Sequence, residues 1–251
     1  MNSNAVAFIT GANQGIGLQI AKDLAANGFT VLVGSRNLER GENAAKEIGS
    51  GALAVQLDVT KEESIAIAAK RVQDELGHLD VLVNNAAISN THLTPDMSLE
   101  EYTHLSKASR VSLNEVRAIW ETNVFGVLAV TQAMLPLLRQ SSMPRIVNVS
   151  SAVGSLTLNS DPDFPVRDLF SPGYAASKTA LNAISLAFAI ELEQEAIKVN
   201  TVSPGFPKTK LNNYSGTETI EEAAAEVVRV SLLGADGPSG TFTQTSGTIP
   251  W

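Results

Sequence analysis

The chain has 251 residues, a formal net charge of −8, 44% hydrophobic and 18% charged residues, and no cysteine. That composition supports a buried core rather than disorder, and it excludes disulfides, thiol catalysis and cysteine-ligated metals. The acidic balance, with no block of like charge, argues against nucleic acid or an anionic membrane surface as the main partner.

In chain order, "AVAFIT" (5–10) reads as a first strand and 15–27 as a helix. "FTVLVGS" (29–35) is a second strand with a helix over 38–48, and "ALAVQLDV" (52–59) a third with a helix over 61–76. "LDVLVNNA" (79–86) carries a fourth strand, followed after a gap by a long helical stretch over 113–140. "RIVNVSS" (145–151) is the fifth strand, with a helix over 174–195, and "IKVNTVS" (197–203) the sixth. A helix near 219–233 precedes a last strand, "GTFTQT" (240–245). Apolar strands alternating with helices predict an α/β chain: a doubly wound, mostly parallel seven-stranded sheet with helices on both faces. No linker or composition break divides it, so a single domain over 1–251 is expected. The N-terminus lacks a basic segment before its short apolar run, and no run approaches the roughly 20 apolar residues of a membrane span. The expected setting is cytoplasmic.

Segments 88–112 and 152–173 have no place in the alternation. Both follow carboxyl ends of strands, where open α/β sheets bind ligands, so they are expected to flank a substrate pocket.

"TGANQGIG" (10–17) joins the first strand to the first helix. Glycines let backbone approach an anion, and a helix N-terminus offers free N–H groups and a favourable dipole, which suits a pyrophosphate. The ribose end should lie beyond the second strand. No carboxylate stands there to accept from a 2′-hydroxyl; the chain reads Gly34-Ser35-Arg36, with Arg40 further on. An arginine can hold a 2′-phosphate through a charge-assisted bidentate contact, so NADP(H) is favoured over NAD(H). Asp58, ending the third strand, is a candidate acceptor for the adenine amine.

"GYAASK" places Tyr174 and Lys178 one helical turn apart on one face. A free phenol titrates near pH ~10; a nearby ammonium stabilises the phenolate and makes proton transfer feasible at neutral pH. Ser151 ends the fifth strand, where its hydroxyl can hold a carbonyl oxygen, and Asn123 lies in an apolar helical context that obliges its amide to find a partner.

Together "TGANQGIG", "LDV", "NNAA", "ETN", "IVNVSSAVG", "YAASK" and "SPGFPKT", in this order, resemble the short-chain dehydrogenase/reductase family over nearly the whole chain. "GSRNLERG" and the C-terminal "GPSGTFTQTSGTIPW" are most similar to its NADPH-dependent carbonyl reductases. The resemblance implies a Rossmann fold and reversible hydride transfer to small ketones or aldehydes. It makes Tyr174 the proton donor, Lys178 the group that tunes it and binds the nicotinamide ribose, and Ser151 the holder of the substrate carbonyl. Ser151 is preferred to Ser150 because the frame "SAVG" matches the family. Asn123 would hold a water that relays protons to Lys178. Cofactor contacts are implied for Gly11, Asn13, Gln14, Gly15, Ile16, Gly17, Arg36, Arg40, Asp58, Val59, Asn85, Ala86, Pro204, Gly205 and Thr209, with Asn85 and Asp58 on the adenosine half. Leu156, Phe164, Phe170 and Phe206 are candidates to line the substrate pocket.

The chain departs from the family at Pro207, which has no N–H to offer the nicotinamide carboxamide where family members often supply one. Either the loop shifts or Thr209 takes over. Ser151 and Tyr174 stand 23 residues apart, and Asn85 and Asn123 38, both long for the family. His78, His92 and His104 lack metal-ligand spacing, and no G-x-S-x-G elbow supports hydrolysis. A non-catalytic NADP-binding sensor and an NAD-dependent alcohol dehydrogenase are the alternatives. A small carbonyl or alcohol substrate is the expected partner, with no nucleic acid, no membrane and no metal; monomer and homo-oligomer both remain open.

Overall fold

A computed structural model describes residues 5–92 and 97–251. Its strands are β1 (Val6–Thr10), β2 (Thr30–Ser35), β3 (Leu53–Gln56), β4 (Val81–Asn84), β5 (Arg145–Val149), β6 (Lys198–Val202), β7 (Phe242–Gln244) and β8 (Gly247–Thr248). All belong to one sheet in the order β3-β2-β1-β4-β5-β6-β7-β8. The sheet therefore has eight strands, not seven. The extra one is a two-residue antiparallel return that pairs Thr248 with Thr243 and Gly247 with Gln244. Two residues show no alternation, so the sequence pattern could not reveal it.

The main helices are α1 (Gly15–Ala26), α2 (Leu38–Ile48), α3 (Glu62–Glu75), α4 (Leu99–Leu105), α5 (Leu113–Trp120), α6 (Gly126–Leu138), α7 (Leu156–Ser160), α8 (Tyr174–Glu191) and α9 (Ile220–Ser231). Strand alternation divides the core into two layers. Val6 and Phe8 of β1 join Ile65 and Val72 of α3, Met134 and Leu138 of α6, and Phe188 of α8. Ala7 and Ile9 face the other way, onto Ile20 and Leu24 of α1, Ala44 of α2 and Val227 of α9.

The helical stretch expected over 113–140 is interrupted. Between α5 and α6, Glu121–Phe125 forms a turn of π-helix. Leu113–Leu138 as a whole is long and apolar enough to cross a bilayer by length and composition. Val130, Met134 and Leu138 bury that apolar face against the sheet instead.

Two features bring backbone segments together at the carboxyl ends of the strands. The chain leaves β1 towards β2 and β3 on one side, then returns to place β4 on the other. This reversal opens a crevice between the ends of β1 and β4. Next to it, Gly34 in β2 lies so near β1 that a Cβ there would stand 2.9 Å from the Phe8 ring and 3.0 Å from the Ile9 carbonyl oxygen. Gly34→Ala should therefore force β1 and β2 apart and cost about 1–3 kcal/mol of stability by overpacking. An unchanged urea midpoint would show that the sheet yields there without strain.

Candidate active site

The turn after β1 lies in the crevice. Gly11 and Gly15 have φ of 66° and 57°, the left-handed region that a side chain makes costly. Gly17 is required for room instead: a Cβ there would stand 2.4 Å from Asn85 Nδ2 and 2.6 Å from the Gly11 carbonyl oxygen. Asn85 Nδ2 donates to the carbonyls of Thr10 at 2.9 Å and Gly11 at 3.2 Å. Thr10 Oγ1 accepts from the backbone N–H groups of Asn85 and Ala86, both at 3.0 Å. Asn85, expected beside the adenosine half, thus spends its amide hydrogens on shaping the turn.

The turn delivers the chain into α1 with its N-terminus open. Gln14 makes no side-chain cap and the first turn holds no acidic residue. Among the described residues, no backbone acceptor takes the N–H groups of Gly15, Ile16 and Gly17. Such a terminus suits an anion, and the glycine geometry leaves space for a phosphate to approach. Asn13 lies in the turn itself.

At the end of β2, Ser35 is buried and its hydroxyl donates to the Asn37 carbonyl at 2.7 Å. Asn37 caps α2 by accepting from the Arg40 N–H at 2.9 Å. Arg36 and Arg40 are exposed, and neither guanidinium makes a hydrogen bond or ion pair among the described residues. One carboxylate oxygen of Asp58 accepts from the Thr60 N–H and hydroxyl, at 3.0 and 2.8 Å. Val59 abuts the start of α6, where a Cβ on Gly126 would stand 2.8 Å from its carbonyl oxygen.

Tyr174 opens α8 and Lys178 follows one turn on. Lys178 is fully buried, and its Nζ donates to the Val149 carbonyl at 2.8 Å and lies 5.6 Å from the Tyr174 ring centroid. Burial lowers the Lys178 pKa from its ordinary value to about 7, because the charged form loses hydration. The two adjacent serines separate by their partners. Ser150 is buried, with its hydroxyl on Asn182 Oδ1 at 2.6 Å and the Lys178 carbonyl at 3.4 Å. Ser151 is half-buried and lines the same cavity as Tyr174, and its hydroxyl makes no hydrogen bond among the described residues.

Asn123 sits in the π-helical turn with no exposed surface. Its Nδ2 donates to the Ile88 carbonyl at 2.9 Å and to Ser177 Oγ at 3.0 Å, and its Oδ1 accepts from the Ile88 N–H at 2.9 Å. Ser177 in turn donates to the Tyr174 carbonyl at 2.6 Å. Both amide hydrogens of Asn123 are therefore committed to pinning the strand exit at Ile88 to the first turn of α8.

The cavity measures about 410 Å³ and runs from Ile16 past Ser151 and Tyr174 to Pro204–Pro207, Thr209 and Gln244. Met97, Val153, Phe164, Val166, Leu169, Phe206 and Leu211 make its wall largely apolar. Phe164 and Phe206 line it. Leu156 and Phe170 do not: they are 55% and 39% exposed, because α7 and the 3-10 turn Arg167–Leu169 face them outwards. The segment 88–112 contributes Ser89, Asn90, Met97 and Ser98 to the wall, while its residues 93–96 lie outside the described residues. Thr10, Ser177, Asn182 and Glu218 escaped the sequence reading. Thr10 and Ser177 lie within recognised motifs but act through single hydroxyls, which no spacing distinguishes. Asn182 continues the Tyr174–Lys178 face by one more turn. Glu218 reaches the cavity only because a loop folds back on itself.

A family model described as short chain dehydrogenase matches residues 5–219. "Short-chain dehydrogenase anuI" of Penicillium roqueforti (strain FM164) is 38% identical, over 91% of this chain and 88% of that protein. (-)-Isopiperitenone reductase of Mentha piperita is 31% identical, over 94% of this chain and 95% of that protein. The solved structure of salutaridine reductase from Papaver somniferum superposes with a TM-score of 0.80 at 30% identity, covering 95% of this chain and 99% of that one. The chain belongs to the short-chain dehydrogenase/reductase family, oxidoreductases that interconvert CH–OH and C=O groups of small molecules with a nicotinamide cofactor.

Proposed function

We propose that this protein is an NADPH-dependent carbonyl reductase, acting reversibly on small ketones or aldehydes as one catalytic domain. One observation carries the proposal: a half-buried serine with an uncommitted hydroxyl and a tyrosine backed by a buried lysine share one largely apolar cavity that begins at the glycine turn. A bound cofactor would supply the hydride; the side chains supply position and a proton.

Gly11, Gly15, Ile16 and Gly17 would take the pyrophosphate on their backbone. Arg36, exposed and uncommitted, would take the 2′-phosphate, with Arg40 beside it. Ser151 Oγ donates to the substrate carbonyl oxygen and holds it against Tyr174. Tyr174 Oη gives the same oxygen its proton. The phenolate so formed favours protonation of Lys178. Asn123 and Ser177 position Tyr174 by fixing the start of α8. The apolar wall excludes water and fits a substrate whose body is hydrocarbon, while Ser151 and Tyr174 provide polar contacts for its carbonyl. A non-catalytic sensor would need neither Ser151 nor Tyr174 in this arrangement, and an NAD-dependent dehydrogenase leaves Arg36 without purpose.

With a reactive ketone, NADPH should be oxidised faster than NADH at equal concentration. Arg36→Asp should weaken NADPH by roughly ten- to a hundredfold, the worth of a charge-assisted contact, and NADH little; equal loss of both would leave Arg36 a supporting role only. Tyr174→Phe should bind NADPH as the wild type does, yet lose about 10²-fold or more in kcat. Retained turnover would remove Tyr174 from the mechanism.

Burial of Lys178 has its own signature. Its folded pKa of about 7 lies below the ordinary lysine value, so between about pH 7 and the ordinary value of 10.5 the unfolded chain binds more protons than the folded one. Stability then rises with pH in that window. In the cofactor-free protein, the unfolding free energy of wild type minus that of Lys178→Met should climb by up to about 1.4 kcal/mol per pH unit there. A flat or falling difference would mean that Lys178 is solvated.

A further inference from the structure

Pro207 removes one backbone donor from the turn after β6, and an accounting of its neighbours removes the rest. The Phe206 N–H donates to Glu218 Oε2 at 2.6 Å. The Lys208 N–H donates to the Glu218 carbonyl at 3.0 Å. The Thr209 N–H donates to Asn212 Oδ1 at 3.2 Å. From Phe206 to Thr209 the turn therefore has no backbone N–H to give.

What it presents instead is a carboxylate. The segment 206–218 closes on itself: Thr217 and Glu218 donate their N–H groups to the Phe206 carbonyl at 2.8 and 3.2 Å, and Pro207 bridges Glu218 in parallel. This closure lays the Glu218 side chain flat on Gly205, whose φ is 78°. A Cβ at Gly205 would stand 1.8 Å from Glu218 Oε2 and 2.8 Å from Oε1. Only glycine admits the carboxylate at this place. Glu218 lines the cavity shared by Ile16, Ser151 and Tyr174, and it is the only Asp or Glu among the described lining residues. Its Oε1 makes no hydrogen bond among the described residues.

We propose that Glu218 binds the nicotinamide carboxamide, Oε1 accepting from the amide NH₂, and that its charge makes the site favour the oxidised cofactor over the reduced one. The inference rests on the nicotinamide-dependent reading above. A primary amide needs an acceptor for its hydrogens, and this wall offers the Glu218 Oε1 while the turn from Phe206 to Thr209 has no backbone donor left. The oxidised ring carries a positive charge that the reduced ring lacks. A carboxylate held against the ring therefore stabilises one form more than the other, whereas a backbone carbonyl distinguishes them less.

The test is calorimetric binding of NADP⁺, NADPH and 2′,5′-ADP to wild type and Glu218→Gln, without turnover. Glu218→Gln should weaken NADP⁺ by roughly tenfold and NADPH by no more than roughly threefold, in line with losing one charge-assisted contact. Affinity for 2′,5′-ADP, which lacks the nicotinamide, should not change. The 3-acetylpyridine analogue of NADP⁺, which has no amide hydrogens, should lose less than NADP⁺ does. Equal losses for NADP⁺ and NADPH, a loss for 2′,5′-ADP, or no loss at all would overturn the role of Glu218. A wild type that prefers NAD⁺ and NADH would reject the NADP(H) reading alone, and the same comparison with that pair would then decide the role of Glu218. A wild type that binds no nicotinamide nucleotide would overturn both.

Discussion

The contact between Asn85 and the glycine turn is the constraint on which the site depends. An amide at the end of β4 bonds two successive carbonyls at the end of β1, and Gly17 must lack a side chain for that amide to fit. The contact exists because the chain reverses direction between β1 and β4, which places two strand ends side by side with no strand between them. Buried backbone carbonyls need partners, and here a side chain supplies them. Beside this contact the first N–H groups of α1 have no acceptor among the described residues. A helix terminus suited to an anion is thus a by-product of how the sheet is stitched together.

A second set of bonds carries that stitching to the first turn of α8. Asn123 grips the backbone at Ile88 just beyond β4, and through Ser177 it grips the first turn of α8. The π-helical turn around Asn123 widens the helix at that point and turns a polar side chain inwards from an otherwise apolar stretch. Lys178, one turn along α8, is buried and donates to the Val149 carbonyl of β5. Its environment is dry enough to bring its pKa down to about 7.

The loops add what the core does not provide. Segments after β4, β5 and β6 meet over the cavity, and Ser89 donates to the Leu211 carbonyl to tie two of them together. Their composition gives the cavity its apolar wall. The loop after β6 also folds back to bring Glu218, 12 residues beyond Phe206, against Gly205.

The alternation of strands and helices, the glycine turn, the Tyr174–Lys178 face and the cation after β2 are all legible in the amino-acid order. Each is a local matter: apolar periodicity, glycine at a turn, one helical turn between two side chains, or one residue type at a strand end. Motifs in family order added Ser151 and Asn123. The fold sets which of two adjacent serines has a free hydroxyl, that Asn85 spends its amide hydrogens on backbone and Asn123 on the Ile88 carbonyl and the Ser177 hydroxyl, and that Phe164 lines the cavity while Leu156 and Phe170 face outwards. It also revealed β8 and the carboxylate of Glu218 on the cavity wall. These depend on contacts between residues far apart in the chain, on hydrogen-bond capacity already used up elsewhere, and on loop paths with no periodicity to read. A side chain's availability for chemistry is set by what its neighbours leave over, and those neighbours are chosen by the fold.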